Sequence, residues 1–418
     1  MSGEIFPGEA AQQCQSRQRC GTLWRKIVDA AILSMVVIVM MNSATAQEVT
    51  LSREAIIRGN PPDVVLQPKA IVRSDDGGFI IAGQINARQQ AWAAKTDGNG
   101  NVLWRYEANV KDELPIGDGA EFNGAVVMPD GSTYLCGSMP RPRGERPPAL
   151  LTHLDKEGRL VFERLVFPQK MAKHGNVSFL DCIRWGDGLV LLGRVRQYPE
   201  PGKDESFYWL LALDAQGGMK WESLIPTTFD TIDEAGSLLA TEDSLMFSGN
   251  RFPKTELFRV SRAGELETRK IVGGQFRFVH PTSNDGIVQI FGHTSKGTAA
   301  LITINDRFEE VRNIEGTHPE NFISFLAYRL PNQSLVLFGS EIKAGGAQFA
   351  SRVVSVDAEL RTEHVLNLSG GPYYDSGFVK AAVPTGMAGE FVAARDLLKK
   401  AEGRDARQGA AIDFIQVK

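Results

Sequence analysis

Six histidines, His153, His174, His280, His293, His318 and His364, are the residues of this chain best suited to proton transfer or metal ligation. An imidazole changes charge near neutral pH and is the commonest protein metal ligand, so a converging set would mark a catalytic centre. Their spacings form no H-E-x-x-H, and the chain has neither a G-x-S-x-G elbow nor a phosphate-binding loop. The segment DGNGN (97–101) opens like a calcium loop, but it lacks the later acidic ligand and holds the residues a tight turn selects. Cys136 and Cys182 do not stand at zinc-ligand spacing; they read as isolated buried thiols, with one bridge between them open in an oxidising compartment. The residue types assign no catalytic group, no metal and no cofactor.

Binding chemistry is better represented. Arg141, Arg143 and Arg146 lie in the proline-rich stretch SMPRPRGERPP, Arg194 and Arg196 in RVRQYPEPGKDESF, and Arg251 in NRFPKT. A guanidinium presents a planar fork that pairs with carboxylates or phosphates. Tyr373 and Tyr374, adjacent in GGPYYDSG, add aromatic area of the kind that anchors interfaces. These eight residues suit a protein partner, with an anionic glycan as the second ligand class.

The elements that must carry them repeat along the chain. An apolar strand, a turn and a second apolar strand ending in a small residue recur seven times, at 70–83, 124–137, 180–193, 236–249, 278–292, 325–339 and 378–394. A second hairpin follows each copy except the last, which offers the single strand AAIDFIQVK. Asp-x-x-Gly turns between β-branched runs make each unit four antiparallel strands, a to d. The closing small residues fall at 83, 137, 193, 249, 292, 339 and 393, a period near fifty. That period predicts an all-β fold, a seven-bladed β-propeller with one four-stranded antiparallel sheet per blade. The strand missing from the last blade has a candidate in EVTLSREAII (48–57), which would close the ring from the N-terminal side and cover both free edges.

In such a blade the a–b and c–d turns share one face, and the b–c and d–a connections share the other. The first set is short. The second includes 107–123, 138–148, 164–179, 194–207 and 362–376. Binding residues concentrate on long loops held by a rigid scaffold, so the loop-rich face is the expected working face, and all eight candidates fall on it. The seven b–c connections carry 16 Lys and Arg against 8 Asp and Glu in a chain of net charge −4. Solvated charge, neutralised by DELPIGDGAE and DTIDEA on the same face, is the competing reading. On this scheme His174, His318 and His364 fall in d–a loops, His293 in a b–c loop, and His280 on an inner strand able to line the channel.

The stretches TDGNGNVLW (96–104) and ALDAQGGMKW (212–221) resemble the repeat of quinoprotein-type (PQQ-like repeat) propellers, in which Asp, Gly and Trp recur on the outer strands of each blade. Trp104 and Trp221 hold the Trp position, and Phe162 replaces it in the second copy. The resemblance covers residues 48–418 and implies the propeller fold. It also implies a family that joins dehydrogenases binding pyrroloquinoline quinone and calcium with cofactor-free scaffolds of outer-membrane assembly. Seven units rather than eight, and no adjacent Cys pair, align this chain with the cofactor-free members.

Composition sets the remaining bounds. A chain with 43% hydrophobic and 23% charged residues can bury a large core, and its mildly acidic balance excludes the field that gathers nucleic acid. Residues 1–46 place Arg17, Arg19, Arg25 and Lys26 before the apolar run 27–41, and Ala44 and Ala46 then form a small-residue A-x-A site. That order reads as a signal peptide cleaved after Ala46, leaving a periplasmic or secreted single-domain propeller, 47–418, with no integral membrane span. A retained anchor is the alternative, although the run is shorter than the roughly 20 residues that cross a bilayer. The expected function is binding of a protein partner, as an assembly factor, inhibitor or immunity-like antagonist. The enzymatic alternative is an envelope polysaccharide lyase or hydrolase, or a relic quinone-type dehydrogenase, with a His-metal site at the channel mouth.

Overall fold

Each copy of the repeat folds into one antiparallel sheet. The computed structural model describes residues 48–418 apart from 59–65, 86–89, 109–118, 140–146, 171–174, 201–202, 230–233, 252, 282–286, 297, 317–321, 343–348, 369–373, 388 and 400–408. The first strand is β1 (Val49–Arg58). Blade 1 follows as β2 (Leu66–Arg73), β3 (Phe79–Ile85), β4 (Gln90–Thr96) and β5 (Val102–Glu107). Blade 2 is β6 (Glu121–Val127), β7 (Thr133–Ser138), β8 (Ala149–Leu154) and β9 (Leu160–Val166). Blade 3 is β10 (Gly175–Trp185), β11 (Gly188–Glu200), β12 (Lys203–Leu213) and β13 (Met219–Pro226). Blade 4 is β14 (Glu234–Ala240), β15 (Ser244–Arg251), β16 (Lys254–Ser261) and β17 (Leu266–Gly273). Blade 5 starts with β18 (Gln275–Phe278); the two-residue β19 (His280–Pro281) then leaves to pair with blade 6 before β20 (Val288–His293), β21 (Ala299–Ile304) and β22 (Glu310–Gly316). Blade 6 is β23 (Phe322–Arg329), β24 (Leu335–Ile342), β25 (Phe349–Val356) and β26 (Thr362–Leu368). Blade 7 is β27 (Tyr374–Pro384), β28 (Glu390–Lys399) and β29 (Gly409–Val417), with β1 as its outer strand.

The chain is thus a seven-bladed β-propeller closed by its N-terminal strand. Among the described residues seven apolar clusters form, one for each pair of neighbouring blades, including the pair 7 and 1. Faces of adjacent sheets bury each other's alternate side chains, so the core is a ring of interfaces rather than one centre.

The repeat's small closing residue has a specific cause. Strand β6 bulges between Phe122 and Gly124, which drives the Glu121 carbonyl against Gly137 of β7. A Cβ on Gly137 would lie 1.8 Å from that oxygen, so no larger residue fits without moving the bulge.

The Asp-x-x-Gly…Trp phrase locks one blade to the next. Trp104 of β5 lies over Gly158 in the c–d turn of blade 2, where a Cβ would come within 2.5 Å of the indole. Phe162 covers Gly217 and Trp221 covers Gly264 in the same way. Seven residues past the turn's first residue, blades 4 and 5 lack the aromatic and carry Thr268 and Arg312. The next blades' turns then replace Gly by Phe308 and Leu360, both buried and both at positive φ, 57° and 61°. The bulk lost from one blade is supplied by its neighbour, and burial outweighs the backbone cost of a left-handed non-glycine residue.

Closure depends on β1. It pairs with β29 from Val49↔Val417 to Arg58↔Gly409, and Ser52 donates to the Phe414 carbonyl at 2.9 Å where the ladder bulges. Arg53 stacks over the Phe414 ring and donates to Asn99 Oδ1 and the Gly98 carbonyl of blade 1, each at 2.7 Å. Inside the blade, fully buried Arg395 of β28 meets fully buried Asp413 of β29 at 2.6 Å and Glu54 of β1 at 2.7 Å. Burial raises both carboxyls above their usual range, against the pull of Arg395.

Candidate functional site

The two faces of the ring differ in how their polar groups are used. On the turn-rich face each c–d turn is closed on itself. Asp97 Oδ1 accepts from the backbone N–H groups of Asn99 and Asn101 at 2.8 and 2.9 Å. Asp155, Asp214 and Asp357 repeat the pattern, Asn305 does so with its amide oxygen, and Ser261 does so with its hydroxyl. These hydrogen bonds, those from Asn101 foremost, hold the Asp97 carboxyl below its usual range. DGNGN is therefore a turn, with one carboxylate oxygen spent on its own backbone.

The loop-rich face is built differently. The connection expected at 194–207 is largely strand: β11 and β12 run on as a ribbon to Glu200↔Lys203. The inner strand β10 stops pairing at Gly175↔Gln197 and the outer strand β13 at Phe207↔Pro226, so the ribbon tip extends beyond the rest of its blade. The sequence missed this because its prolines read as loop, whereas a ribbon past the sheet tolerates Pro199, which lies where the ladder shifts register between Gln197 and Glu200. Exposed Arg194 donates from Nε to Ser178 Oγ at 3.1 Å. Arg196 ion-pairs with Asp204 across the ribbon and lies 5.4 Å from the Tyr198 ring centre. Arg251 ends β15 opposite Lys254, at the corresponding corner of blade 4.

The other expected residues fall as follows. Arg141, Arg143, Arg146 and Tyr373 lie outside the described residues, as do His174 and His318; Tyr374 begins β27, its backbone opposite Lys399. The connection expected at 395–409 begins later, because β28 runs to Lys399 and its Arg395 is buried in the closure rather than displayed on this face. His364 is not in a loop either: it pairs with Ser355 in β26, on the outer rim of blade 6. His293 closes β20, and His153 stacks on Tyr134 with ring centres 4.1 Å apart. Among the described residues no three His, Cys, Asp or Glu side chains are grouped to hold a metal ion.

Two features of the inner strands escaped sequence reasoning. At the channel mouth Lys69 pairs with Glu121, and Asn123 donates from Nδ2 to Glu121 Oε1 at 3.0 Å and to the Phe179 carbonyl at 2.9 Å. Burial pushes the Glu121 carboxyl up, but Lys69 and Asn123 outweigh it and hold the group below its usual range. This chain of contacts ties blades 1, 2 and 3 at the rim that carries the ribbon. The available signal was register: Lys69 and Asn123 occupy the bulge positions of their inner strands.

Deeper in, Asp181 follows the β10 bulge and accepts from the Cys182 N–H at 2.8 Å and from the Leu238 N–H of blade 4. Burial drives its carboxyl up to about 7 despite both bonds. Across the ring, burial and then the Asp181 charge raise the Tyr328 phenol of blade 6, and beside it burial lowers the His280 imidazole to about 4. Between about pH 4 and pH 7 the folded protein keeps a proton on Asp181 that the unfolded chain releases. Its contribution to stability therefore falls as pH rises through that window. Asp181→Asn is expected to melt progressively higher than the parent as pH goes from about 4 to about 8, the gap growing by a few degrees. Parallel melting profiles would contradict the assignment.

No protein-family model matches the sequence, and no curated relative matches it. Solved structures similar to this chain include the Dos1 propeller, with TM-score 0.47 and 11% identity over 84% of this chain and 78% of that one. The β-propeller domain of the Trilobed protease from Pyrococcus furiosus gives 0.44 and 10%, covering 83% and 92%. The PQQ-bound aldose sugar dehydrogenase from Streptomyces coelicolor gives 0.41 and 11%, covering 89% and 98%. Among the described residues no helix is long and apolar enough to cross a membrane.

Proposed function

We propose that this chain is an exported, cofactor-free propeller that binds a protein partner through its loop-rich face, as an assembly factor, inhibitor or antagonist. Export rests on the signal-like residues 1–46 and their A-x-A site. The observation that carries the binding reading is the asymmetry of the faces. The turns opposite are closed by their own side chains, while the β11–β12 ribbon projects with Arg194, Arg196 and Tyr198, and the sequence of the connection between β7 and β8 adds Arg141, Arg143 and Arg146. A stiff ribbon and a proline-rich connection lose little entropy on docking, which favours recognition of a protein with a complementary acidic surface. The described channel-mouth groups Lys69, Glu121 and Asn123 are engaged with one another, which supports the cofactor-free reading.

Replacing Arg141, Arg143 and Arg146 by Ala is expected to weaken binding of the partner recovered from the native envelope roughly 10- to 100-fold, with stability changed by less than about 0.5 kcal/mol. Lys156→Ala with Glu157→Ala on the turn-rich face is the control; Asp155 is retained because it caps its turn. Equal loss from both variants would remove the case for this face. Recovery of an acidic glycan in place of a protein would assign the same surface to the second ligand class.

A further inference from the structure

We propose that Cys136 and Cys182 are an oxidisable pair whose disulfide staples blade 2 to blade 3. Cys136 lies in β7 opposite Gly124 of β6, and Cys182 lies in β10 opposite Leu191. Gly124 is the spacer between them. A Cβ there would stand 2.8 Å from Cys136 Sγ and 2.8 Å from the Cys182 nitrogen, so the bare glycine lets β10 settle onto β6. The two thiols thereby meet within hydrogen-bonding reach, 46 positions apart in sequence and on different blades, inside one apolar cluster. They are 0% and 3% exposed, and no other thiol stands among the described residues.

The oxidant is a small-molecule or protein disulfide, such as oxidised glutathione. One cysteine thiolate attacks it, forming a mixed disulfide and expelling one thiol; the second cysteine attacks the mixed disulfide and expels the other. Two protons and two electrons leave the pair, and the external disulfide becomes two thiols. Burial, and then the contact with Cys182, raise the Cys136 thiol, so exchange is slow in the closed ring and proceeds before blade 3 docks or when the blades part locally. Strand β7 leads into the connection with Arg141, and β11 carries Arg194 and Arg196. The bond would fix the spacing of these two binding elements, a consequence that rests on the proposed function, whereas the bond itself does not.

The test is to refold the full chain with oxidised glutathione, alkylate, digest without reductant and map the linked peptides. The expected result is one linked species joining the Cys136 and Cys182 peptides, absent in Cys136→Ser. The oxidised protein should melt about 5 °C above the reduced one. Full alkylation of both cysteines in a chain that melts cooperatively would overturn the proposal, and so would a link from either to Cys14 or Cys20. A Cys136–Cys182 link in a protein that binds no partner would support the staple and sink the proposed function instead.

Discussion

Deleting residues 48–57 is expected to leave a chain that does not melt cooperatively and that aggregates on concentration. The deletion removes nearly all of β1, with Val49 and Ile57 from the interfaces of blade 7 with blades 6 and 1. It exposes the edge of β29, whose Ala411, Ile412 and Ile415 are buried in the closed ring. An unpaired apolar edge is a template for association. The loss should rival the whole stability of an ordinary domain, about 5–15 kcal/mol. A peptide of residues 48–58 added in trans should restore part of the native signal, because its pairing with β29 is coupled to refolding of the ring. A deletion variant as stable and monomeric as the parent would show that closure does not run through β1.

Arg395→Met is expected to cost about 3–5 kcal/mol, since it leaves Asp413 and Glu54 side by side in the blade without their counter-charge. Both carboxyls already sit above their usual range, and losing the guanidinium raises them further. A carboxyl raised in the folded state favours folding at low pH and opposes it as pH rises through its folded value. The deficit of Arg395→Met should therefore shrink towards about pH 4 and widen towards about pH 8. Replacing all three residues by apolar side chains of similar size should recover much of the loss, because the penalty lies in the unpaired charges. Denaturant titration at both pH values reads the sign directly. A deficit independent of pH would mean that Arg395 acts by packing alone.

The blade count and the closing strand were legible because both are set by period and edge accounting. Seven small residues at a spacing near fifty mark the seven blades, five of them, at 83, 137, 193, 249 and 339, standing opposite a bulge of the inner strand, and a last unit short of one strand needs the unmatched strand at the other end of the chain. The Asp-x-x-Gly…Trp phrase was legible as a turn and as a resemblance, and its physical role as an interlock appears only where Trp104 meets Gly158. Phe308 and Leu360 were not legible as part of it, since a buried non-glycine at positive φ breaks the local rule and is explained only by the residue missing from the neighbouring blade. Strand limits failed where the chain outruns its sheet: proline concealed the ribbon of blade 3, and charge concealed Arg395 as a core residue. Glu121 takes its character from Lys69, about fifty residues away, and Asp181 from its burial where the blades meet, neither of which a local pattern reveals.

Hydrogen exchange of the chain alone and with the protein that a pull-down from the native envelope recovers tests recognition through the loop-rich face most directly. Binding there should slow exchange in 138–148 and in the ribbon 194–206, while the self-closed turns at 97–101, 155–159, 214–218 and 357–361 keep their free rates. Protection centred on those turns, with the ribbon and 138–148 unchanged, would contradict it.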